Sequence, residues 1–353
     1  MGATFSWRDH DARVLYIRGM NWIGLRLLLL LSFACTASLA HANSYKYFRL
    51  GNPQDVQTKP EPGIAMLGGG GDLDEVFRWL CNKGKGGDFL ILRARGDDDY
   101  NSYVNGLCKA NSVATLIIPD RAAAEDPAVA EIIRKAEVVF IAGGDQANYI
   151  RGWQGTPVES AINEGLAAGK PIGGTSAGLA VEGEFVYGSL GDKPDGPALV
   201  SSQVLADPYT EQVTLVRDFL KIPHLENLIT DSHFAKRDRL GRSLGFLARI
   251  MKDGWSQSPR EVAIDQSSAV LVEADGKATV VGTGKGAYFM RPAQAPEICE
   301  KDVPLTFRNV KVYRVKTGGH FDFTSWTGTD GTAYSLSVVQ GKIESTEAGG
   351  EVY

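Results

Sequence analysis

The chain has 353 residues, 43% of them hydrophobic and 22% charged, with 41 Gly and 15 Pro. That balance excludes collagenous, coiled-coil and disordered chains, and leaves enough apolar content for one large α/β domain or two smaller ones. A net charge of −5, from 37 basic and 42 acidic residues, offers no basic field to nucleic acid.

The first predicted element is an address. Residues 27–40 (LLLLLSFACTASLA) form an uncharged apolar run of 14 residues, with Arg26 just before it. A membrane-spanning helix needs about 20 residues, whereas the apolar region of a secretory signal needs about 7–15. Ala40-His41-Ala42 supplies the small-x-small pattern of a cleavage site, so a signal peptide over 1–42 is expected, with the mature chain starting at Asn43. An uncleaved membrane anchor is the competing reading. Asp9 and Asp11 are unusual ahead of such a run, and a start at Met20 would give a more compact signal. Cleavage would leave 33 basic and 40 acidic residues, a net charge of −7. Export would expose Cys81, Cys108 and Cys299 to oxidation. A Cys81–Cys108 bridge with one thiol left over and three buried free thiols both remain open. No Cys or His spacing of the metal-binding type is present.

From Gly63 the chain alternates short apolar runs with amphipathic ones. Residues 63–67, 88–92, 113–118, 137–141 and 171–173 read as buried parallel strands. Residues 72–81, 126–135 and 158–169 read as helices, and Asp126-Pro127 is an N-cap followed by a first helical residue. Such alternation predicts a parallel sheet covered on both faces. Residues 184–210, rich in Gly, Pro, Asp and Ser, read as a long loop. The pattern resumes with a strand at 227–231 and a helix at 239–252. It then turns β-rich at 262–264, 269–273, 279–281, 287–290 and 310–315, and beyond Gly318 no element is evident.

Gly174-Thr175-Ser176-Ala177-Gly178 is a G-x-S-x-G sequence between an apolar strand and a helical run. In that context a tight turn lifts the serine above the sheet edge and aims the next N–H at a developing oxyanion. Ser176 is therefore the candidate nucleophile and Ala177 a candidate oxyanion donor. A serine nucleophile needs a base. His233 follows the apolar run 225–229 and so lies at a strand's C-terminal end, where α/β sheets gather their sites. His224 and His320 lie in loop-like sequence. Gly68-Gly69-Gly70-Gly71 ends the first strand and can line the cavity, with Gly69 and Gly70 as further oxyanion donors. The run lacks a nucleotide fingerprint: the sixth position of G-x-G-x-x-G is Leu73, and no Gly-Lys-Ser/Thr follows. Gly143-Gly144-Asp145-Gln146 ends another strand on the same rim. There Asp145 and Gln146 can bind a polar substrate, although Asp145 would equally serve as a helix cap.

These pieces, in this order, resemble the cyanophycinase-like serine peptidases, relatives of aspartyl dipeptidase. The likeness spans about residues 63 to 272 and includes Asp231-Ser232-His233-Phe234 with the trailing Arg237, Arg239 and Arg242. It implies a fold like that of the class I glutamine amidotransferases, a three-layer α/β/α arrangement on a mainly parallel sheet, here with a β-rich C-terminal extension. A hydrolase domain over 43–317 and a tail of unknown role over 318–353 follow. The resemblance further implies Ser176 as nucleophile, His233 as general base, and Asp231 and Arg237 as shapers of the substrate pocket. An internal ion pair is the other reading of those two residues. One departure stands out. Where the family carries Asp-Glu, with Glu as the third triad member, this chain has Asp265-Gln266. A glutamine carbonyl can orient the imidazole but cannot stabilise imidazolium by charge. Gln266 acts with weaker support, or Asp265 or another acid replaces it.

The expectation is an exported enzyme, secreted or periplasmic, cleaving peptide or isopeptide bonds at aspartyl residues, with a cyanophycin-like polymer as first substrate. The alternatives are a dipeptidase for small aspartyl peptides and a weakened binding protein on the same fold. No cofactor, metal, nucleic acid or stable membrane association is expected, and a homodimer is carried over from the resemblance.

Overall fold

A computed structural model describes residues 44–192 and 198–353. The expected signal peptide and its cleavage site lie outside the described residues. In chain order the strands are β1 (Lys46–Gly51), β2 (Gly63–Leu67), β3 (Asp88–Arg93), β4 (Ser112–Ile117), β5 (Val138–Ile141) and β6 (Ile172–Thr175). Then come β7 (Phe185–Tyr187), β8 (Leu215–Arg217), β9 (Leu228–Asp231) and β10 (Arg260–Ile264). The last are β11 (Ser268–Glu273), β12 (Lys277–Gly282), β13 (Ala287–Pro292), β14 (Phe307–Asp322), β15 (Thr327–Val339) and β16 (Lys342–Ser345).

The strands β4-β3-β5-β6-β2 are mutually parallel, and β1 closes their outer edge antiparallel to β4. Side chains alternate between two cores, as a strand with both faces covered requires. Ile64, Met66, Leu90 and Leu92 enter one core with the helices Pro127–Lys135, Gln146–Trp153 and Pro157–Ala167. Ala65, Leu67, Phe89 and Ile91 enter the other with the helices Asp74–Gly84 and Asp99–Leu107. This is the three-layer α/β/α arrangement. On the first face two helices start where the sequence supplies acceptors: Asp126 accepts from Ala128 N at 2.9 Å, and Thr156 from Val158 N at 3.2 Å, each followed by proline.

Beyond β2 the sheet runs through antiparallel β11, β12, β14 and β13 to β10, then to the parallel set β10-β9-β7. A further core of Phe234, Leu244, Leu247, Tyr288, Met290 and Leu336 fills this half against the helix Leu240–Lys252.

Two expectations are corrected. The stretch 184–210 holds β7 and a short helix, Ser201–Ala206. Both elements are too short for a periodic signal to show. Beyond Gly318, β14 continues to Asp322, and β15 and β16 pair behind it in a long meander. A register shift between Val315 and His320 accommodates the glycines there, Gly318 at φ 85°. The boundary drawn at 317/318 therefore falls inside a strand.

Cys81 and Cys108 form a disulfide with Cα atoms 5.8 Å apart, tying Asp74–Gly84 to the end of Asp99–Leu107, while Cys299 is free and buried. The bridge closes a loop with a sequence separation of 27, so losing it removes about 3 kcal/mol of stability. A Cys81→Ser/Cys108→Ser protein is expected to unfold at correspondingly lower urea than oxidised wild type. Under dithiothreitol the two midpoints are expected to coincide.

Candidate active site

The site begins with a steric requirement in β6. A Cβ on Gly174 would fall 2.6 Å from the Gly178 carbonyl carbon, and one on Gly178 would fall 2.0 Å from Ile141 O. Only glycine at both positions lets the chain reverse from β6 into the turn Ala177–Ala180 directly against the end of β5. Ser176, between them, takes φ 54° and ψ −109°, a conformation that strains any residue with a side chain. The expected elbow is present.

His233 reaches it from β9. Its Nε2 lies 2.7 Å from Ser176 Oγ. The other two described histidines lie elsewhere, His224 bonding Ala274 O and His320 bonding Thr279 Oγ1. Burial first, then the charges of Arg237 and Arg239, push the imidazole down to about 4. At neutral pH the ring is uncharged, as a base must be.

On its far side His233 Nδ1 lies 2.7 Å from Gln266 Nε2. In this orientation the amide donates, which leaves the ring proton on Nε2, pointing at the serine. Rotation of the terminal amide by half a turn would present Oε1 instead, accept Nδ1–H, and free Nε2 to take a proton. Asp265 does not replace it: its Oδ1 accepts from Lys236 N at 2.9 Å. Among the described residues no carboxylate bonds His233.

The glycine loop after β2 holds these parts together through three successive carbonyls. Leu67 O accepts from Ser176 N (3.1 Å), Gly68 O from His233 N (2.8 Å), and Gly69 O from Ser267 N (2.9 Å). Gly69 itself, at φ 82°, packs so closely that a Cβ would lie 2.6 Å from His233 Cε1 and 3.1 Å from Ser176 Cβ. Gly70 sits over Gln266, where its Cβ would meet that side chain at 2.8 Å. Gly143 follows β5, the neighbour of β6 opposite β2, and its Cβ position is 3.5 Å from Ser176 Cβ. That proximity makes Gly143 a candidate oxyanion donor beside Gly69 and Gly70, one that its sequence signal, a Gly-Gly pair ending a strand, did not by itself assign.

The expected substrate-binding residues divide. Asp231 is 2% exposed and fully engaged: Arg242 grips both oxygens and Arg239 Nη1 adds a contact at 3.2 Å. Burial alone would raise its carboxyl, but the two guanidiniums outweigh that and hold it below the usual range. It is an internal ion pair, not a substrate contact. Arg237 is exposed, has no ion-pair partner among the described residues, and acts on His233 by its charge. Asp145 caps the helix Gln146–Trp153 by accepting from Ala147 N at 2.9 Å. It also lines a cavity of about 410 Å³ with Gly143, Gly144, Arg95, Asn148 and Arg151. Gln146 donates to Tyr187 O and Ser189 Oγ at 3.4 and 3.3 Å. Among the described residues no group of three or more His, Cys, Asp or Glu is placed to hold a metal ion.

Residues 96–206, which include Gly143–Gln146 and Ser176, match the model of peptidase family S51. A cyanophycinase from Geminocystis herdmanii is 25% identical over 281 residues, covering 73% of this chain and 93% of its own. One from Synechococcus elongatus is 28% identical over 272 residues, covering 72% and 78%. The chain is thus similar to peptidase family S51 over residues 96–206 and, at low identity, to cyanophycinases over most of its length. Among solved structures, a peptidase from an acI-B1 actinobacterium aligns with a TM-score of 0.48 and 17% identity, over 75% of this chain and 98% of that one.

The packing of Gly69 yields a direct expectation. Gly69→Ala adds a methyl at a positive φ and against the imidazole, displacing His233 by the order of 1 Å. Its kcat is expected to fall about 10²-fold with the circular-dichroism spectrum unchanged. Unaltered kcat would show that the loop does not constrain the ring.

Proposed function

We propose that this chain is an exported serine hydrolase cleaving peptide or isopeptide bonds at aspartyl residues, with the β-aspartyl-arginine polymer cyanophycin as its preferred substrate. The observation that carries the reading is a strained serine whose hydroxyl lies 2.7 Å from a neutral, buried imidazole. The two cyanophycinase relatives support the substrate, and the cleavage pattern before Asn43 supports export.

In the proposed reaction Gln266 turns its carbonyl to Nδ1–H. Nε2 then takes the proton of Ser176 Oγ as that oxygen attacks the scissile carbonyl carbon. The N–H of Ala177, with that of Gly143 or Gly69, receives the developing oxyanion. His233 returns its proton to the leaving amine, which departs and leaves an ester on Ser176. Water, deprotonated at the same nitrogen, hydrolyses that ester. Arg237, exposed and close enough for its charge to act on His233, would pair with a substrate carboxylate through two parallel bonds. The cavity beside Gly143 offers Asp145 to a cationic group and Arg95 to an anionic one. The neutral Gln266 gives imidazolium no counter-charge, so the proposed chemistry is slow relative to that of a site with a carboxylate. That same residue favours the second reading, a binding protein with a weakened site.

Hydrolysis assays on protein starting at Asn43 separate the two readings. Wild type is expected to release β-aspartyl-arginine from cyanophycin, and Ser176→Ala to release none. Gln266→Glu, which fixes the productive tautomer and stabilises imidazolium, is expected to raise kcat at least about tenfold, within the ~10⁴ that loss of the third triad carboxylate costs in a serine protease. Preferential cleavage of free aspartyl dipeptides would move the substrate to small peptides. Silence of both wild type and Gln266→Glu on every substrate would select the binding reading.

The pH dependence follows from the depressed imidazole. Only the uncharged ring acts as base, so activity is lost as pH falls through the His233 value. Wild-type kcat/KM is expected to stay level from pH 8 to about 5 and to halve near pH 4. In Gln266→Glu the added carboxylate favours imidazolium, so the acid limb is expected at higher pH. A wild-type limb at the ordinary histidine value of about 6.5 would contradict the burial argument.

A further inference from the structure

The end of the sequence folds back onto the segment that carries the histidine. The helix Leu240–Lys252 begins at Arg239 without a side-chain cap, leaving the Leu240 N–H to find an acceptor outside its own turn. That acceptor is the hydroxyl of Tyr353, 113 residues away, at 3.0 Å. The same hydroxyl donates to Asp238 Oδ1 at 2.8 Å. Its ring meets Phe234, the neighbour of His233, edge-on at 5.4 Å, and Tyr288 at 6.1 Å, with Lys285 Nζ over its face at 5.7 Å. Tyr353 is itself anchored, since Tyr334 of β15 donates to Val352 O at 3.0 Å.

The segment between these contacts is short and strained. His233 sits at φ 48° and Asp238 at φ 47°, and between them lies the exposed Arg237. At its far end Arg239 holds Asp231, two residues before His233. One tyrosine thus touches the segment at Phe234, Asp238 and Leu240, bracketing Arg237 and reaching the residue next to the histidine. A side chain with only a packing role would need the ring. Here the hydroxyl joins a helix start to a loop carboxylate, which fixes the backbone on both sides of Arg239.

We propose that Tyr353 is a positioning residue, its hydroxyl latching the segment 234–240 so that His233 stays in reach of Ser176 and Arg237 stays beside it. The inference rests on the reading of Ser176 and His233 as a nucleophile–base pair. It also gives the β-rich extension a role: β15 and β16 carry the chain to the point where Tyr353 can reach the site.

The test uses a probe that does not depend on the peptide substrate. The rate at which a fluorophosphonate labels Ser176, located by mass spectrometry, is followed from pH 4 to 8 in wild type and in Tyr353→Phe. The phenylalanine keeps the ring contacts and removes both hydrogen bonds. The variant is expected to label about tenfold more slowly, a fraction of what a 1 Å misplacement costs. Its acid limb is expected to move up from about 4 toward 6.5 as the loosened imidazole gains water, with little change in melting temperature. Should Tyr353→Phe fail to fold, Asp238→Ala removes the other half of the latch from an exposed position and is expected to move rate and limb in the same directions. Labelling of either folded variant at the wild-type rate, with the wild-type limb, overturns the latch while leaving the pair standing. Absence of wild-type labelling at Ser176 overturns the pair, and the latch with it.

Discussion

Three consecutive carbonyls, of Leu67, Gly68 and Gly69, accept the backbone N–H groups of Ser176, His233 and Ser267. Those donors follow β6 on one side of the sheet and the paired strands β9 and β10 on the other. Each donor residue has a side chain and yet a left-handed backbone: φ is 54° at Ser176, 48° at His233 and 54° at Ser267. Such conformations cost of order 1–3 kcal/mol apiece and persist only where the surroundings over-determine them. The glycine loop is that surrounding. It spends no side chains of its own, so the nucleophile, the imidazole and Gln266 can all approach the same stretch of backbone. A Cβ on Gly68 would fall 1.9 Å from Asp265 O, so the closeness on which the template depends excludes any other residue there.

The electrostatics follow from that crowding. His233 is buried among Arg237, Arg239 and Arg242, with Asp231 as the one opposing charge, and Asp231 is already committed to Arg242 and Arg239. Burial and net positive surroundings keep the imidazole neutral, and a neutral amide at Nδ1 does nothing to reverse this. The chain therefore holds a geometry suited to acyl transfer with an electrostatic setting that favours the resting base over the imidazolium. The orientation of the Gln266 amide decides which ring nitrogen carries the proton, and so whether the Nε2 that faces the serine can accept one. Substrate occupancy or a carboxylate at that position would bias it; nothing else bonded to His233 does.

The parts that sequence revealed are those where chemistry forces residue identity. Gly174 and Gly178 are legible because the elbow admits no Cβ, and the parallel strands because both faces are buried and apolar throughout. A helix start was legible at Asp126, where proline follows an acceptor, but not at Thr156, where the expected helix began at residue 158 instead of Pro157. His233 was legible from its place at a strand end, and Gln266 only through the family resemblance. What escaped depends on long-range partners. Asp231 stays open between pocket residue and internal ion pair until Arg242, 11 residues on, is seen to hold both its oxygens. The strands β1, β15 and β16 carry mixed polar residues because β1 and β16 lie at sheet edges and β15 turns one side outward. Their alternation is weak without the sheet beside them. Tyr353 carries no local signal at all, since the hydrogen-bond partners of its hydroxyl lie more than 100 residues upstream.

Amide hydrogen exchange of the native protein tests the template most directly. If the three carbonyls of the glycine loop hold the site in register, the N–H groups of Ser176, His233 and Ser267 should exchange as slowly as those of the central strands β2, β5 and β6, although all three lie in turns. Exchange of any of them at the rate of an open surface loop would contradict the account.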